Sequence, residues 1–254
     1  MVAMTAAGLG LAATKLLAGG LTPPAPVSAT NGDTTVPTDA ATQFNGIPGN
    51  NVNQQVLNYA LTLEFLEADL YRQALNFASG RALGAPLSAN SGDYSLAIAT
   101  TGLKPIDASE LFNYLVQFTY VEAAHRDFLI AALAQMSAPT VSANPNGYKF
   151  TSALPSNLAK LMASAILPLE ETGVRAYLGA LPYLTDLSLA QTAGTIFSTE
   201  ARHSAVIGAN VGIDTGPRVM NGDLRVNPAQ PAQNTFEYYL KPLTVRSKAS
   251  AYFA

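Results

Sequence analysis

The sequence predicts an all-α protein: a four-helix bundle with a long crossover, an extended N-terminal arm and an irregular C-terminal tail. Three observations predict it. Four long segments repeat apolar residues at alternating spacings of three and four, as a helix with one buried stripe does. Pro, Gly, Ser and Asn collect between those segments, where helices end. The two histidines each follow a glutamate by three residues, in Glu122-Ala-Ala-His125 and Glu200-Ala-Arg-His203. That spacing puts a carboxylate and an imidazole on one helical face.

The elements follow in chain order. Residues 1–21 are small and apolar with Lys15 the one charge, and Pro23, Pro24, Pro26 and Val27-Ser28-Ala29 come next. Residues 1–29 therefore read as a secretory signal ending at Ala29, which implies export to the periplasm, the cell envelope or the exterior. Lys15 lies inside the apolar run instead of ahead of it, so a retained segment that anchors 1–21 to an envelope or membrane is the alternative. Residues 30–50 form a linker or arm rich in Pro, Thr, Asn and Gly. A first helix spans 51–79 and stops at Gly80; residues 80–106 form a long loop. A second helix runs from Asp107, placed as its N-cap, to 135. Residues 137–155 hold Pro139, Pro145, Gly147 and Pro155 and connect to a third helix over 156–181, ended by Pro182. A fourth spans 186–210 and ends near Gly212. The bundle thus occupies 51–212. In the tail, 213–254, Asn221-Gly222 is placed at the turn of a short hairpin, and 236–240 is the stretch apolar enough to dock.

Composition narrows the function. Charged residues make up 12% of the 254-residue chain, about half the usual share of about 25%. A surface so poor in charge predicts cover by a partner, by an envelope layer or by further copies of the chain, with a homo-oligomer expected; a surface of uncharged Asn, Thr, Ser and Gln is the alternative. The net charge of −3 without a basic cluster argues against nucleic acid as a partner. The absence of Cys removes disulfides, thiolate metal sites and iron–sulfur clusters.

The helical seams locate the chemistry. They read Leu57, Leu61, Glu64, Ala68, Tyr71, Leu75; then Leu111, Leu115, Phe118, Glu122, His125, Leu129, Ala132. The third gives Ala159, Ala163, Ile166, Glu170, Gly173, Tyr177, Ala180, and the fourth Leu189, Ala193, Ile196, Glu200, His203, Ile207. Each is apolar except at its middle. Unpaired carboxylates inside a bundle are costly and repel one another. Two divalent cations remove that cost, since four carboxylates bring −4 and the metals +4. The candidate ligands are Glu64, Glu122, His125, Glu170, Glu200 and His203, with Glu122 and Glu200 bridging. Oxygen and nitrogen donors without sulfur suit Fe first, Mn next and Zn as a substitute. Glu64 precedes Tyr71 by seven residues, and Glu170 precedes Tyr177 by seven. This repeat favours Glu64 over Glu67 and Glu170 over Glu171. Tyr71, Tyr177, Glu67 and Glu171 are placed as supporting groups around the ligands. Both histidines are then used, which disfavours a Ser-His-Asp hydrolase.

At 58–71 (Asn-Tyr-Ala-Leu-Thr-Leu-Glu-Phe-Leu-Glu-Ala-Asp-Leu-Tyr) and 169–180 (Leu-Glu-Glu-Thr-Gly-Val-Arg-Ala-Tyr-Leu-Gly-Ala) the chain resembles the ferritin-like superfamily, in its secreted, desiccation-related branch. The resemblance covers about 51–210. It implies a four-helix bundle whose crossover joins the second and third helices, and a di-metal site on the six residues named. At ~3.3 Å per residue, 137–155 reaches roughly 60 Å, enough to run the length of a bundle. Pro168, two residues before Glu170, departs from the pattern and predicts a kink or widening of the third helix. The expected activity is ferroxidase- or peroxidase-type redox chemistry with O2, peroxide or iron in stress protection, with substrate entering beside the 80–106 loop. The alternative is a structural subunit of an envelope or extracellular assembly, its metal site structural or vestigial.

Overall fold

The computed structural model describes residues 36–225 and 236–254; the apolar segment 1–29 lies outside them. The bundle helices are α2 (Val52–Ala78), α3 (Pro105–Gln135), a composite third helix and α6 (Leu187–Val211). The third is built from α4 (Leu158–Leu161), a π-helical turn (Met162–Ile166) and α5 (Leu167–Ala180). A short α1 (Ala40–Gln43) precedes the bundle and α7 (Pro242–Ala249) follows it.

Local chemistry sets the ends. Asn51 and Asp186 cap α2 and α6, accepting from the backbone N–H of Gln54 and of Ser188. Gly212, at φ 73°, supplies the left-handed residue that stops α6. The second helix starts three residues earlier than expected. Pro105 is pre-organised for a first helical position, so Lys104 takes the cap and Asp107 sits in the first turn.

The helices pair as two hairpins, α2 with α3 and α5 with α6, and residues 136–157 cross between them. Tyr71 meets Glu170 while Tyr177 meets Glu64, so α2 and α5 run antiparallel. The seams hold except at His125 and Ala193, which are half-buried, and at the start of the third helix. Leu158, Leu161 and Met162 are fully buried there, and the expected Ala159 and Ala163 are only half-buried. A π turn inserts one extra residue and rotates everything upstream. It ends at Ile166, two residues before Pro168, which lacks the N–H that would continue the α ladder.

Two expectations about the flanks change. Residues 36–50 are not an extended linker: Phe44 is fully buried, edge-on to Tyr59 and Tyr183. The tail is not irregular throughout. Pro242 begins α7, whose Val245 is fully buried, and Arg246 and Lys248 in its last turn complement the helix dipole. The turn at Asn221-Gly222 forms, with Gly222 at φ 90°, but the strand after it pairs elsewhere: Leu224 bridges Tyr239.

Asn58 ties arm and crossover to α2. Its buried side-chain amide donates to the carbonyls of Pro48 and Pro139, and its oxygen accepts from Val141 N–H at 2.7 Å. Asn58→Ala leaves these backbone groups without a partner and is expected to cost about 2–4 kcal/mol. Urea unfolding would measure it, and a loss under about 0.5 kcal/mol would contradict the clasp.

Candidate metal centre

The acids that interrupt the seams meet in one layer. Glu64, Glu122 and Glu200 are fully buried, Glu170 is 1% exposed and His203 4%. Two groups of donor atoms form, and within each group all atoms lie within 4.8 Å of one another. One comprises Glu64, Glu122, His125 and Glu200; the other comprises Glu122, Glu170, Glu200 and His203. Glu122 and Glu200 belong to both, the place expected of bridging carboxylates.

Glu122 shows the division atom by atom. Its Oε2 lies 3.0 Å from Nδ1 of His125, and its Oε1 lies 3.0 Å from Nδ1 of His203. His125 Nδ1 also lies 3.3 Å from Glu200 Oε1 and 3.8 Å from Glu64 Oε2; His203 Nδ1 lies 3.4 Å from Glu170 Oε2. Tyr71 donates to Glu170 and Tyr177 to Glu64, so each tyrosine orients the carboxylate of the opposite hairpin.

The remaining donor atoms are unspent. Among the described residues, Glu64 Oε2, Glu122 Oε1, Glu170 Oε2, both oxygens of Glu200 and Nδ1 of His203 are buried without a hydrogen-bond partner. Glu122 Oε1 and His203 Nδ1 lie 3.0 Å apart without the alignment of a hydrogen bond. Native interiors rarely leave such atoms orphaned. Four carboxylates and two imidazoles, without sulfur, fit two hard or borderline divalent ions.

Electrostatics support this. Burial pushes the Glu64 carboxyl well above the usual range, against the nearby His125, and the charges of Glu200 and Glu122 add to it. Burial, and then the charge of Glu170, raise Glu200 to about 7. Burial opposes protonation of His203, but Glu170 and Glu122 outweigh it and raise the imidazole to about 10. His125 is likewise held well above its ordinary value against burial, chiefly by Glu122.

Stability therefore depends on pH, and a bound metal would add to that dependence. Folded Glu200 keeps a proton that the unfolded chain releases near about 4.3, and folded His203 keeps one released near about 6.5. In both cases the native state holds more protons, so stability falls as pH rises, through about 7 for Glu200 and through about 10 for His203. Metal competes with those protons, and its stabilisation grows in the same direction. Thermal melts with a chelator should show Tm falling from pH 5.5 to 8.5. Added Mn2+ should raise Tm by roughly 5–10 °C at pH 8.5 and barely at 5.5. Equal shifts at both pH values would contradict the linkage.

The supporting residues divide. Glu67 is buried beside the layer but belongs to neither donor group. Burial, then the charges of Glu200, Glu64, Glu122 and Glu170, push its carboxyl well up. Glu171 does not serve the centre. Its carboxylate is taken by Ser204, Arg175 and Arg218, and these hydrogen bonds hold it below its usual range in spite of burial. The pairing was readable in the sequence, since Glu171 and Arg175 are four residues apart on one helix. Two contributors escaped sequence reasoning. Phe118 stacks on the His203 ring, centroids 3.8 Å apart. Gly173 makes room for Glu200, whose Oε2 lies 2.8 Å from where a Cβ would stand; a glycine inside a helical seam was its signal. Gly173→Ala should weaken metal binding by ~10-fold or more, measured by equilibrium dialysis, with unchanged affinity as the contrary result.

Comparison with known proteins agrees with this architecture. No curated protein matches the chain. The ferritin-like domain matches residues 53–212, which span all four bundle helices and all six candidate ligands. The match covers more than half of the sequence, and on it the chain belongs to the ferritin-like domain family.

Proposed function

We propose that the protein holds two divalent metal ions, Fe first and Mn next, on Glu64, Glu122, His125, Glu170, Glu200 and His203, and uses them in redox chemistry with O2 or peroxide. The observation that carries the reading is the split of Glu122, one carboxylate oxygen facing each histidine at 3.0 Å. Loaded with two Fe2+, such a centre supplies two electrons, enough with two protons to convert O2 to hydrogen peroxide. The chain's own groups do the rest. Glu122 and Glu200 would be shared by the two metal ions, Glu64 and Glu170 would each serve one, and Tyr71 and Tyr177 hold those last two carboxylates by hydrogen bonds. Leu61, Leu115 and Leu129, fully or almost fully buried, keep bulk water from the layer.

The reading extends to an exported protein of the secreted, desiccation-related branch that assembles with copies of itself in stress protection. The resemblance of 58–71 and 169–180 and the 12% charged composition support this extension. The test is metal analysis after anaerobic reconstitution, followed by O2 and peroxide consumption. Two Fe per chain and consumption faster than by free Fe2+ are expected. No metal retained at micromolar concentration would sink the proposal.

A further inference from the structure

All four bundle helices line an apolar cavity one layer away from the candidate ligands. Ala60 lies one turn before Glu64, Ile196 one turn before Glu200, and Leu129 one turn after His125, each about 6 Å along its helix from the ligand. Tyr177 forms part of the wall and donates its hydroxyl to Glu64. The cavity extends away from the ligands to the end of the bundle where α5 turns into α6. Ala193, half-buried and about 10 Å along α6 from Glu200, stands at its outer part. This is the end opposite the 80–106 loop, where the sequence had suggested entry.

The space suits one class of occupant. The centre of a water-sized molecule can range over about 20 Å3. A void of roughly 10–15 Å3 on that measure admits one small molecule, so an acyl chain is excluded on size. Water is disfavoured by chemistry. It needs two to four polar partners, and the wall offers few. The Tyr177 hydroxyl is spent on Glu64 and the Thr192 hydroxyl on the Ser188 carbonyl, which leaves that of Tyr59 without a partner. An apolar pocket of this kind, partly open to solvent, holds water weakly and takes up apolar gases.

We propose that this chamber is a dioxygen site that delivers O2 to the metal layer past Tyr177. The proposal rests on the two-metal reading, because a gas store beside an empty carboxylate cluster would feed nothing.

The experiment uses xenon as the apolar probe, Co2+ as the metal probe and Ala193→Phe as the plug. Xenon-pressurised crystals of the metal-free protein should show xenon in the chamber, and crystals of A193F should not. Co2+ binding should be the same in both, while oxidation of bound Fe2+ by O2 should be at least fivefold slower in A193F. If A193F does not fold, Ala193→Leu is the smaller plug. Absence of xenon from the wild-type chamber overturns the proposal, as does a plugged variant that excludes xenon but oxidises Fe2+ at the wild-type rate. Failure of the wild type to bind Co2+ is a different result: it removes the two-metal reading and the delivery role with it, whatever xenon shows.

Discussion

Glu122→Ala is expected to cost the protein both metal ions, whereas Glu64→Ala costs one. Glu122 belongs to both donor groups and Glu64 to one. Removing Glu122 takes an oxygen from each position at once, and also leaves His125 and His203 without the carboxylate 3.0 Å from each Nδ1. Loss of partners that merely orient metal ligands costs ~10–100-fold in affinity, so loss of a shared ligand should exceed ~100-fold at both positions. Equilibrium dialysis with Mn2+ and metal analysis would read two ions per chain in wild type, about one in E64A and none in E122A. Glu67→Gln is the control. It removes a buried acid surrounded by carboxylates and outside both groups, so two ions should still bind. Its metal-free form should melt a few degrees higher at pH 8, because burial and like-charged neighbours disfavour in the fold a carboxylate that the unfolded chain ionises freely, and Gln removes that cost. One ion retained by E122A would show that the positions are independent.

The bundle and its central residues could be read because each rests on local periodicity. An apolar seam repeats within a single helix, and an acid in its middle stands out because burying it alone is unfavourable. The doubled seven-residue spacing to Tyr71 and Tyr177 was legible for the same reason, and both tyrosines reach the expected carboxylates, crosswise between hairpins. The misreadings arise where burial depends on distant partners. Phe44 is buried by Tyr59 and Tyr183, and Leu224 pairs with Tyr239; nothing near any of them in sequence announces this. Ala159 and Ala163 failed for a subtler reason. Pro168 did signal a disturbance, but periodicity alone could not say that a π turn would rotate the residues before it. Glu171 was misplaced because its helix carries two adjacent acids. The choice between them is made by Arg175 and by Arg218 in the tail.

Arg175→Met is expected to be the most destabilising single change, at about 3–5 kcal/mol, the range for stripping one partner from a buried ion pair. Arg175 is fully buried, and all three of its side-chain nitrogens are engaged. Nε and Nη2 donate to the carboxylate of Asp223, Nη1 to the carboxylate and backbone carbonyl of Glu171, and Nη2 also to the Arg218 carbonyl. The guanidinium thus fastens the tail after α6 onto α5. A second fastening lies one turn on, where Leu240 N–H donates to the Arg175 carbonyl and the tail passes over Gly179. A Cβ on Gly179 would stand 1.9 Å from the Leu240 carbonyl oxygen, so Gly179→Ala must lift the tail without disturbing any charge. The two variants separate charge from packing. R175M leaves Asp223 buried without the Arg175 cation and Glu171 with Arg218 alone, and it should lower Tm by roughly 10 °C or more in a chain of this size. Adding Glu171→Gln and Asp223→Asn to it should recover much of that loss, because neutral groups need no counter-charge. G179A gains nothing from the same additions. Hydrogen exchange should show both variants losing protection first at 214–225 and 236–249, ahead of α2 and α3. Metal content should stay at the wild-type level in both, since Glu171 spends its carboxylate on the strap and none of its partners belongs to either donor group. A fall in bound metal in R175M would mean instead that the strap holds Glu170 in place through α5.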